Sequence, residues 1–295
     1  MTTAPLKMRF IVGNEVYRQA ADPTVDRHYR DLAEEAYHKY VAFLDSISAM
    51  DWDDIDWDVF DTFKGRKGEP FYSVDFEAVD PRYPTLQVNI GPYPDGNQGP
   101  GGSHHSSKVL LKSQITLGAV PREDLIEEEY GSRRYKRTPE QIDILRANVP
   151  KHVFIHEFIH YLDYLRRKKE RDPKYEMEIV DVGARKPSTV TQEEKRTKYL
   201  STPSEFNAWY QASTQDLENF LDEVVEYFPD DIEEYMATKQ RFIKKALELF
   251  SSKYLAKGKP FLWDVDLLDD KYRRKLLKRL NGFYDYYLDK IEGTL

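Results

Sequence analysis

The chain has 295 residues, of which 40% are hydrophobic and 33% are charged, and it contains no cysteine. This composition is typical of a globular protein with a sizeable core, and the absence of cysteine excludes disulfides and thiolate metal ligands. The net charge of −8 disfavours binding to nucleic acid or to an anionic membrane surface. No uninterrupted apolar run reaches about 18 residues, so no membrane-spanning helix is expected.

The first part of the chain carries one helical pattern and then strand patterns. Apolar residues recur at helical spacing over 24–48. Three strand patterns follow, at 71–78, 85–91 and 108–118. The Gly- and Pro-rich segment 92–107, which contains His104 and His105, predicts a surface loop.

An apolar helical pattern near the middle of the chain contains the order His-Glu-x-x-His. His156 and His160 are four residues apart, so on a helix they lie on one face. Two imidazoles placed in this way can bind one Zn²⁺ at about 2.0–2.1 Å each. Glu157 can then act as a general base towards a zinc-activated water. The alternative is a buried helix whose two histidines are satisfied by hydrogen bonds.

A third protein ligand must come from another segment. His152 lies eight residues before His160, which is about 12 Å along a helix axis, so one tetrahedral ion cannot bridge the two. The candidates are therefore a carboxylate or one of the other histidines, namely His28, His38, His104 and His105.

Glu205 is the best-placed carboxylate. Ser201 or Thr202, followed by Pro203, predicts the start of a helix, and Glu205 would lie in its first turn. A rigid helix can aim a ligand from that position. An acid there is also favoured by the helix dipole alone, without any metal.

Together these segments resemble the gluzincin-type metallopeptidases, most closely the anthrax-lethal-factor-like group. The resemblance rests on His-Glu-Phe-Ile-His at 156–160 followed by Asp163, and on Pro203-x-Glu205-Phe206-x-Ala208. It extends over about 149–220, and the thermolysin-like branch fits less well because Trp209 stands where that branch carries Asp.

The resemblance implies a set of functional residues. His156, His160 and Glu205 would be the zinc ligands and Glu157 the general base. The family also places a tyrosine shortly before the third ligand to stabilise the oxyanion. Tyr199 is the nearest match here, and Tyr210 is the second candidate.

Asp163 follows His160 by three residues and so lies on the same side of the helix. Its carboxylate could accept the remaining N–H of a ligating histidine and fix its tautomer. The alternative is an exposed acid that pairs with Arg166 or Arg167 at helical spacing.

The remainder of the chain is mostly helical in pattern. The highly charged segment 171–198 predicts a loop or lid. Helical patterns then occur over 203–227, 231–254 and 267–291. Strands followed by helices predict an α+β fold. With the resemblance, we expect a zincin-like arrangement: a small mixed sheet packed on the metal-binding helix, with a helical C-terminal half.

We expect three parts within one compact unit. Residues 1–120 would form the N-terminal helix and sheet, 121–228 the metal-binding helices and catalytic core, and 229–295 a helical extension. The predicted function is a zinc-dependent metalloendopeptidase with one Zn²⁺ per chain and a peptide or protein substrate, without nucleic-acid or membrane partners. The alternative is a non-catalytic zincin-like module with a structural or interaction role.

The predicted compartment follows from the first residues. The segment 1–17 has no apolar core followed by a cleavage site, so we expect a cytoplasmic protein, or one exported without a Sec signal. In zincins an edge strand beside the active-site helix holds an extended peptide by main-chain pairing. The strand pattern over 108–118 precedes that helix and is expected to fill this role.

Overall fold

A computed structural model describes a part of the chain. The described residues are 8–10, 23–48, 62–64, 70–78, 85–93, 100–107, 112–121, 124, 127–129, 132–134, 139–170, 192–251 and 265–293. They divide into two compact units, and the boundary falls after Arg30 and again after Tyr161. Residues 1–14 and 31–161 belong to the first unit, and residues 15–30 and 162–295 belong to the second.

The first unit contains a mixed β-sheet. The described strands are β1 (Met8–Phe10), β2 (Thr62–Lys64), β3 (Pro70–Ala78), β4 (Thr85–Pro92), β5 (Gly101–Ser107), β6 (Lys112–Val120), β7 (Glu127–Glu129) and β8 (Ser132–Arg134). The main sheet has the order β1-β3-β4-β6-β5, with β2 paired to β3, while β7 and β8 form a separate hairpin. The predicted strands 71–78 and 85–91 are confirmed as β3 and β4.

The strands β4, β6 and β5 at one side of the main sheet pair as follows. β4 runs parallel to β6, and β5 runs antiparallel to β6, with Gly101 opposite Gly118 and Ser107 opposite Lys112. The sequence prediction of a loop over 92–107 is therefore wrong for its last seven residues, which form β5. Gly and Ser have low strand propensity, but pairing of all seven β5 residues with Lys112–Gly118 of β6 outweighs that preference.

The edge of the sheet also differs from the prediction. Strand β6 lies between β4 and β5, and β5 is the last strand on that side among those described. The segment 108–118 was expected to be the edge strand. That expectation is wrong, because its residues from Lys112 onward belong to the internal strand β6. The edge strand on this side of the sheet is β5 among the described strands.

Three of the described helices contribute to the first unit. They are α1 (Pro23–Ser48), α2 (Pro139–Ala147) and α3 (Lys151–Glu170), and α1 and α3 continue into the second unit. The predicted helix over 24–48 is confirmed as α1. Within this unit the Tyr40 ring stacks on Phe154 with ring centroids 5.6 Å apart, and the Tyr37 hydroxyl donates to the Val149 carbonyl at 3.4 Å. These contacts hold α1 against the start of α3.

The second unit is helical. Its described helices are α4 (Gln192–Leu200), α5 (Pro203–Tyr227), α6 (Pro229–Met236), α7 (Lys239–Phe250) and α8 (Asp270–Ile291), with a 3₁₀ turn at Val265–Leu267 before α8. Their apolar faces share one core that includes Phe206, Leu217, Phe242, Leu280 and Phe283, each at most 3% exposed. Burial of each such side chain stabilises the fold by about 1.5–3 kcal/mol.

Two predicted elements of this unit are corrected by the structure. A single helix was expected over 231–254, but α6 and α7 are separate. Thr238 has extended backbone, and its hydroxyl accepts from the Arg241 N–H at 3.1 Å, which begins a new helix. The segment 171–198 was expected to be a loop or lid. Its residues from Gln192 form α4, and 171–191 lie outside the described residues.

The described residues form an α+β fold, with the sheet in the first unit and mainly helices in the second. The helices predicted over 203–227 and 267–291 are confirmed as α5 and α8. No helix in this part of the chain combines the length and the apolarity needed to cross a membrane. The division into 1–120, 121–228 and 229–295 stays a prediction.

Candidate metal centre

The two histidines of the motif lie together on α3. Pro150 precedes the helix, and its carbonyl accepts from the Phe154 N–H at 2.8 Å, so the first turn forms where the sequence predicted it. His156 and His160 are 5% and 8% exposed. Their Nε2 atoms are 3.1 Å apart, and the planes of their rings are inclined by 83°. Both imidazoles therefore direct the same ring nitrogen towards one point.

That distance fits a shared metal ion. Two zinc–nitrogen bonds of about 2.0–2.1 Å at a tetrahedral angle separate the nitrogens by about 3.3 Å. The observed 3.1 Å is close to this value. A direct N–H···N hydrogen bond between two neutral rings has a similar length, so the distance agrees with both interpretations of the motif.

Glu157 lies next to the edge strand. Its side chain is buried, at 6% exposure. A Cβ atom built on Gly102 of β5 would lie 2.6 Å from Val153 Cγ1 and 2.8 Å from Glu157 Cγ. Only a residue without a side chain allows so close an approach of the strand to α3. The backbone of β5 therefore passes directly beside the proposed general base.

His104 of β5 also packs on α3. Its ring is stacked on His160 with centroids 6.5 Å apart, and it meets the Tyr161 ring edge-on at 6.2 Å. Burial, and then the neighbouring His160 and His105, lower the pKa of His104 to about 3. His104 is therefore neutral at pH 7. His105 is exposed, as expected for the next residue of a strand.

Asp163 belongs to the second unit and is only 1% exposed, which excludes its interpretation as an exposed acid. Its Oδ2 accepts from Asn207 Nδ2 at 3.0 Å, and Asn207 Oδ1 accepts from Arg279 Nη2 at 3.0 Å. The side chains of Arg166 and Arg167, the predicted alternative partners, lie outside the described residues. Asp163 therefore belongs to a buried polar chain that links three helices, α3, α5 and α8.

Glu205 lies in the first turn of α5, as predicted. Thr202 is the N-cap residue, with φ −80° and ψ 148°, and Pro203 follows it. The Thr202 hydroxyl donates to the Tyr199 carbonyl at 3.0 Å instead of capping the helix. Glu205 is half-buried, which is compatible with a ligand at the edge of a core.

The two candidate oxyanion donors differ in their surroundings. Tyr199 is 38% exposed near the end of α4. Tyr210 is 2% exposed within the helical core, and the Arg279 guanidinium carbon lies 4.3 Å from the centroid of its ring. Only Tyr199 of this pair has a surface that a substrate could reach.

Three residues of this region were missed by the sequence analysis. Gly102 was assigned to a loop, although a glycine inside a strand is a known signal of close backbone approach. Asn207 lies within the matched segment of α5, at a position that the motif leaves open. Arg279 follows Asn207 by 72 residues, so no local pattern connects them.

No family model, curated protein or solved structure matches this chain.

Proposed function

We propose that this protein is a zincin-like zinc metallopeptidase that hydrolyses peptide bonds. The observation that carries the proposal is the His156–His160 pair, whose Nε2 atoms converge at 3.1 Å on a buried helix face beside Glu157. A catalytic zinc site commonly takes two of its three protein ligands from a pair of imidazole nitrogens placed in this way.

Glu205 is proposed as the third ligand. Two histidines and one carboxylate are the donor types of a site that keeps a fourth position open, and each of the three residues offers one ligand atom. The hydrogen bond from Asn207 to Asp163 supports this assignment. It joins the part of α3 just after His160 to the beginning of α5, which is the segment that carries Glu205.

Zinc bound to these residues would supply Lewis-acid polarisation of the scissile carbonyl and would acidify the attacking water. The carboxylate of Glu157 would accept a proton from that water and return it to the leaving amine. The Tyr199 hydroxyl would donate a hydrogen bond to the oxyanion that develops on the carbonyl oxygen. Asp163 would orient His160, because it follows it by three residues on α3.

The substrate is proposed to be an extended peptide held by strand β5. On its outer side this edge strand has no partner among the described strands, and Ser103 and His105 are exposed. An extended chain can pair with such an edge through main-chain hydrogen bonds. Because Gly102 packs beside Glu157, a peptide paired there would lie near the general base.

The test is cleavage of a mixed peptide library, followed by mass spectrometry, with protein as purified, after removal of metal by a chelator, and after addition of zinc. We expect cleavage that is lost with the chelator and restored by one equivalent of zinc. Zinc binding without any cleavage would favour the alternative of a non-catalytic zincin-like module. Cleavage that persists without metal would contradict the proposal.

A further inference from the structure

Three buried polar side chains of the second unit form a continuous chain from α8 to α3. Arg279 Nη2 donates to Asn207 Oδ1 at 3.0 Å, and Asn207 Nδ2 donates to Asp163 Oδ2 at 3.0 Å. The three residues are 7%, 8% and 1% exposed. We propose that Arg279 and Asn207 are positioning residues for the zinc centre, acting through Asp163. This inference rests on the proposed function.

The order of donors and acceptors fixes the orientation of each group. An arginine side chain carries only donors, so the atom of Asn207 that faces Arg279 must be its carbonyl oxygen. The amide nitrogen of Asn207 then necessarily points the other way, and it can donate only to an acceptor such as the Asp163 carboxylate. Arg279 thus determines which end of Asn207 meets Asp163.

Arg279 is itself held in place by aromatic rings. Its guanidinium carbon lies 4.3 Å from the Tyr210 ring centroid and 5.8 Å from that of Phe206. A planar guanidinium stacked on an aromatic face is less free to rotate than a lysine ammonium would be. The buried cation also offsets the negative charge of Asp163, which is separated from it only by the Asn207 amide.

Asp163 is the member of this hydrogen-bonded chain that lies on the same helix as the two histidines. It lies three residues after His160 on α3, and therefore on the same side of that helix. An oriented carboxylate beside a ligating histidine fixes its tautomer and raises its basicity, and loss of such a partner typically weakens metal binding by about 10–100-fold. The same hydrogen bond anchors α5 two residues after Glu205. Disrupting Asn207 or Arg279 should therefore weaken zinc binding without removing any ligand.

If Arg279 only stabilised the fold, its loss would lower the thermal stability without a specific loss of zinc affinity. A second buried arginine of the chain serves as a matched control. Arg30 is a second buried arginine of this unit, 1% exposed, and its Nη2 donates to Glu218 Oε2 at 2.9 Å. The guanidinium carbon of Arg30 also lies 5.6 Å from the centroid of the Phe283 ring. Loss of Arg30 should lower stability as loss of Arg279 does, but the partner of Arg30 is Glu218 of α5 and not the Asn207–Asp163 pair.

The experiment compares zinc affinity among Asn207→Leu, Arg279→Met, Arg279→Lys and the control Arg30→Met. Asn207→Leu nearly keeps the side-chain volume and interrupts the same hydrogen-bonded chain, so it tests the inference if Arg279→Met does not fold. Affinity is measured by competition with a chromophoric chelator at a temperature where circular dichroism shows each variant folded. The visible spectrum of the cobalt(II)-substituted protein reports ligand geometry independently of activity.

We expect Asn207→Leu and Arg279→Met to weaken zinc binding by about 10–100-fold and to alter the cobalt spectrum. Arg279→Lys, which keeps one donor for Asn207, should recover part of the affinity. Arg30→Met should lower the thermal midpoint yet bind zinc within about twofold of the wild type. Unchanged affinity and spectra in Asn207→Leu and Arg279→Met, with wild-type binding intact, would overturn the inference alone. A wild-type protein that binds no zinc would contradict the proposed function, and the inference with it.

Discussion

Gly102 of the edge strand and Glu157 of the metal-binding helix are in direct contact, so closely that a Cβ on Gly102 would lie 2.8 Å from Glu157 Cγ and 3.1 Å from its Oε1. Real Cβ atoms do not approach other atoms at the shorter of these distances, so the strand or the carboxylate would have to move. The geometry of the proposed general base therefore depends on a residue of the strand that is proposed to bind the substrate.

Gly102→Ala tests this dependence. Overpacking of this kind costs about 1–3 kcal/mol of stability, and displacement of a catalytic group by about 1 Å can lower turnover by about 10²-fold. We expect a reduced kcat with unchanged zinc content. Ser103→Ala, at the neighbouring exposed position, is the control and should behave as the wild type in peptide cleavage and urea unfolding. Wild-type turnover and stability in Gly102→Ala would show that the contact is not restrictive.

Glu157→Gln separates chemistry from metal binding. The substitution nearly keeps the shape of the side chain and leaves His156, His160 and Glu205 unchanged, so zinc content should be retained. It removes the proton acceptor, and general acid–base catalysis contributes about 10²–10⁴-fold, so kcat should fall by at least this factor. The measurement is single-turnover cleavage of a peptide found in the library screen. A variant with full activity would exclude Glu157 as the base.

Tyr199→Phe tests the proposed oxyanion donor. Loss of one such donor typically lowers kcat by about 10²–10³-fold with little change in substrate binding. Tyr227→Phe is the control, because Tyr227 is 65% exposed in the same unit and has no assigned role. Both are assayed by kcat and KM on one peptide. If Tyr199→Phe keeps its turnover and Tyr210→Phe loses it, Tyr210 is the donor instead.

The buried Glu218 predicts a pH dependence of stability. Burial by itself raises the pKa of Glu218, but Arg30, the Tyr286 hydroxyl and Lys290 outweigh it, so the pKa lies below its ordinary value of 4.5. A carboxylate with a lowered pKa in the folded state stabilises the fold above its unfolded pKa, and this contribution is lost as the pH falls through the folded pKa.

Glu218→Gln should therefore be less stable than the wild type at pH 7, by about 3–5 kcal/mol if Arg30 loses its buried partner. The difference should shrink as the pH falls from about 4.5 towards the lower pKa of the folded state, where the wild-type carboxylate of the folded protein becomes protonated. Urea unfolding at pH 7 and at several lower values measures both effects. Glu226→Gln, at an exposed position of the same helix, is the control. A difference that is the same at every pH would contradict this account.

The parts of the structure that could be predicted from the sequence depend on local spacing. The four-residue interval between His156 and His160 determined their shared face, and Pro203 marked the start of α5 as expected. Strand β5 could not be predicted in the same way, because its Gly and Ser residues disfavour strands and only pairing with β6 orders them. The contact between Asn207 and Arg279 joins helices that are distant along the chain, which local patterns do not encode.

The proposed zinc site consists of one ion bound by His156, His160 and Glu205. Anomalous diffraction on both sides of the zinc absorption edge, from crystals of the zinc-loaded protein, tests it most directly. We expect one zinc-specific peak per chain, about 2.0–2.1 Å from the Nε2 atoms of both histidines and about 2.0–2.2 Å from a Glu205 carboxylate oxygen. The absence of a peak at the histidine pair, or a peak whose ligands leave out Glu205, would contradict it.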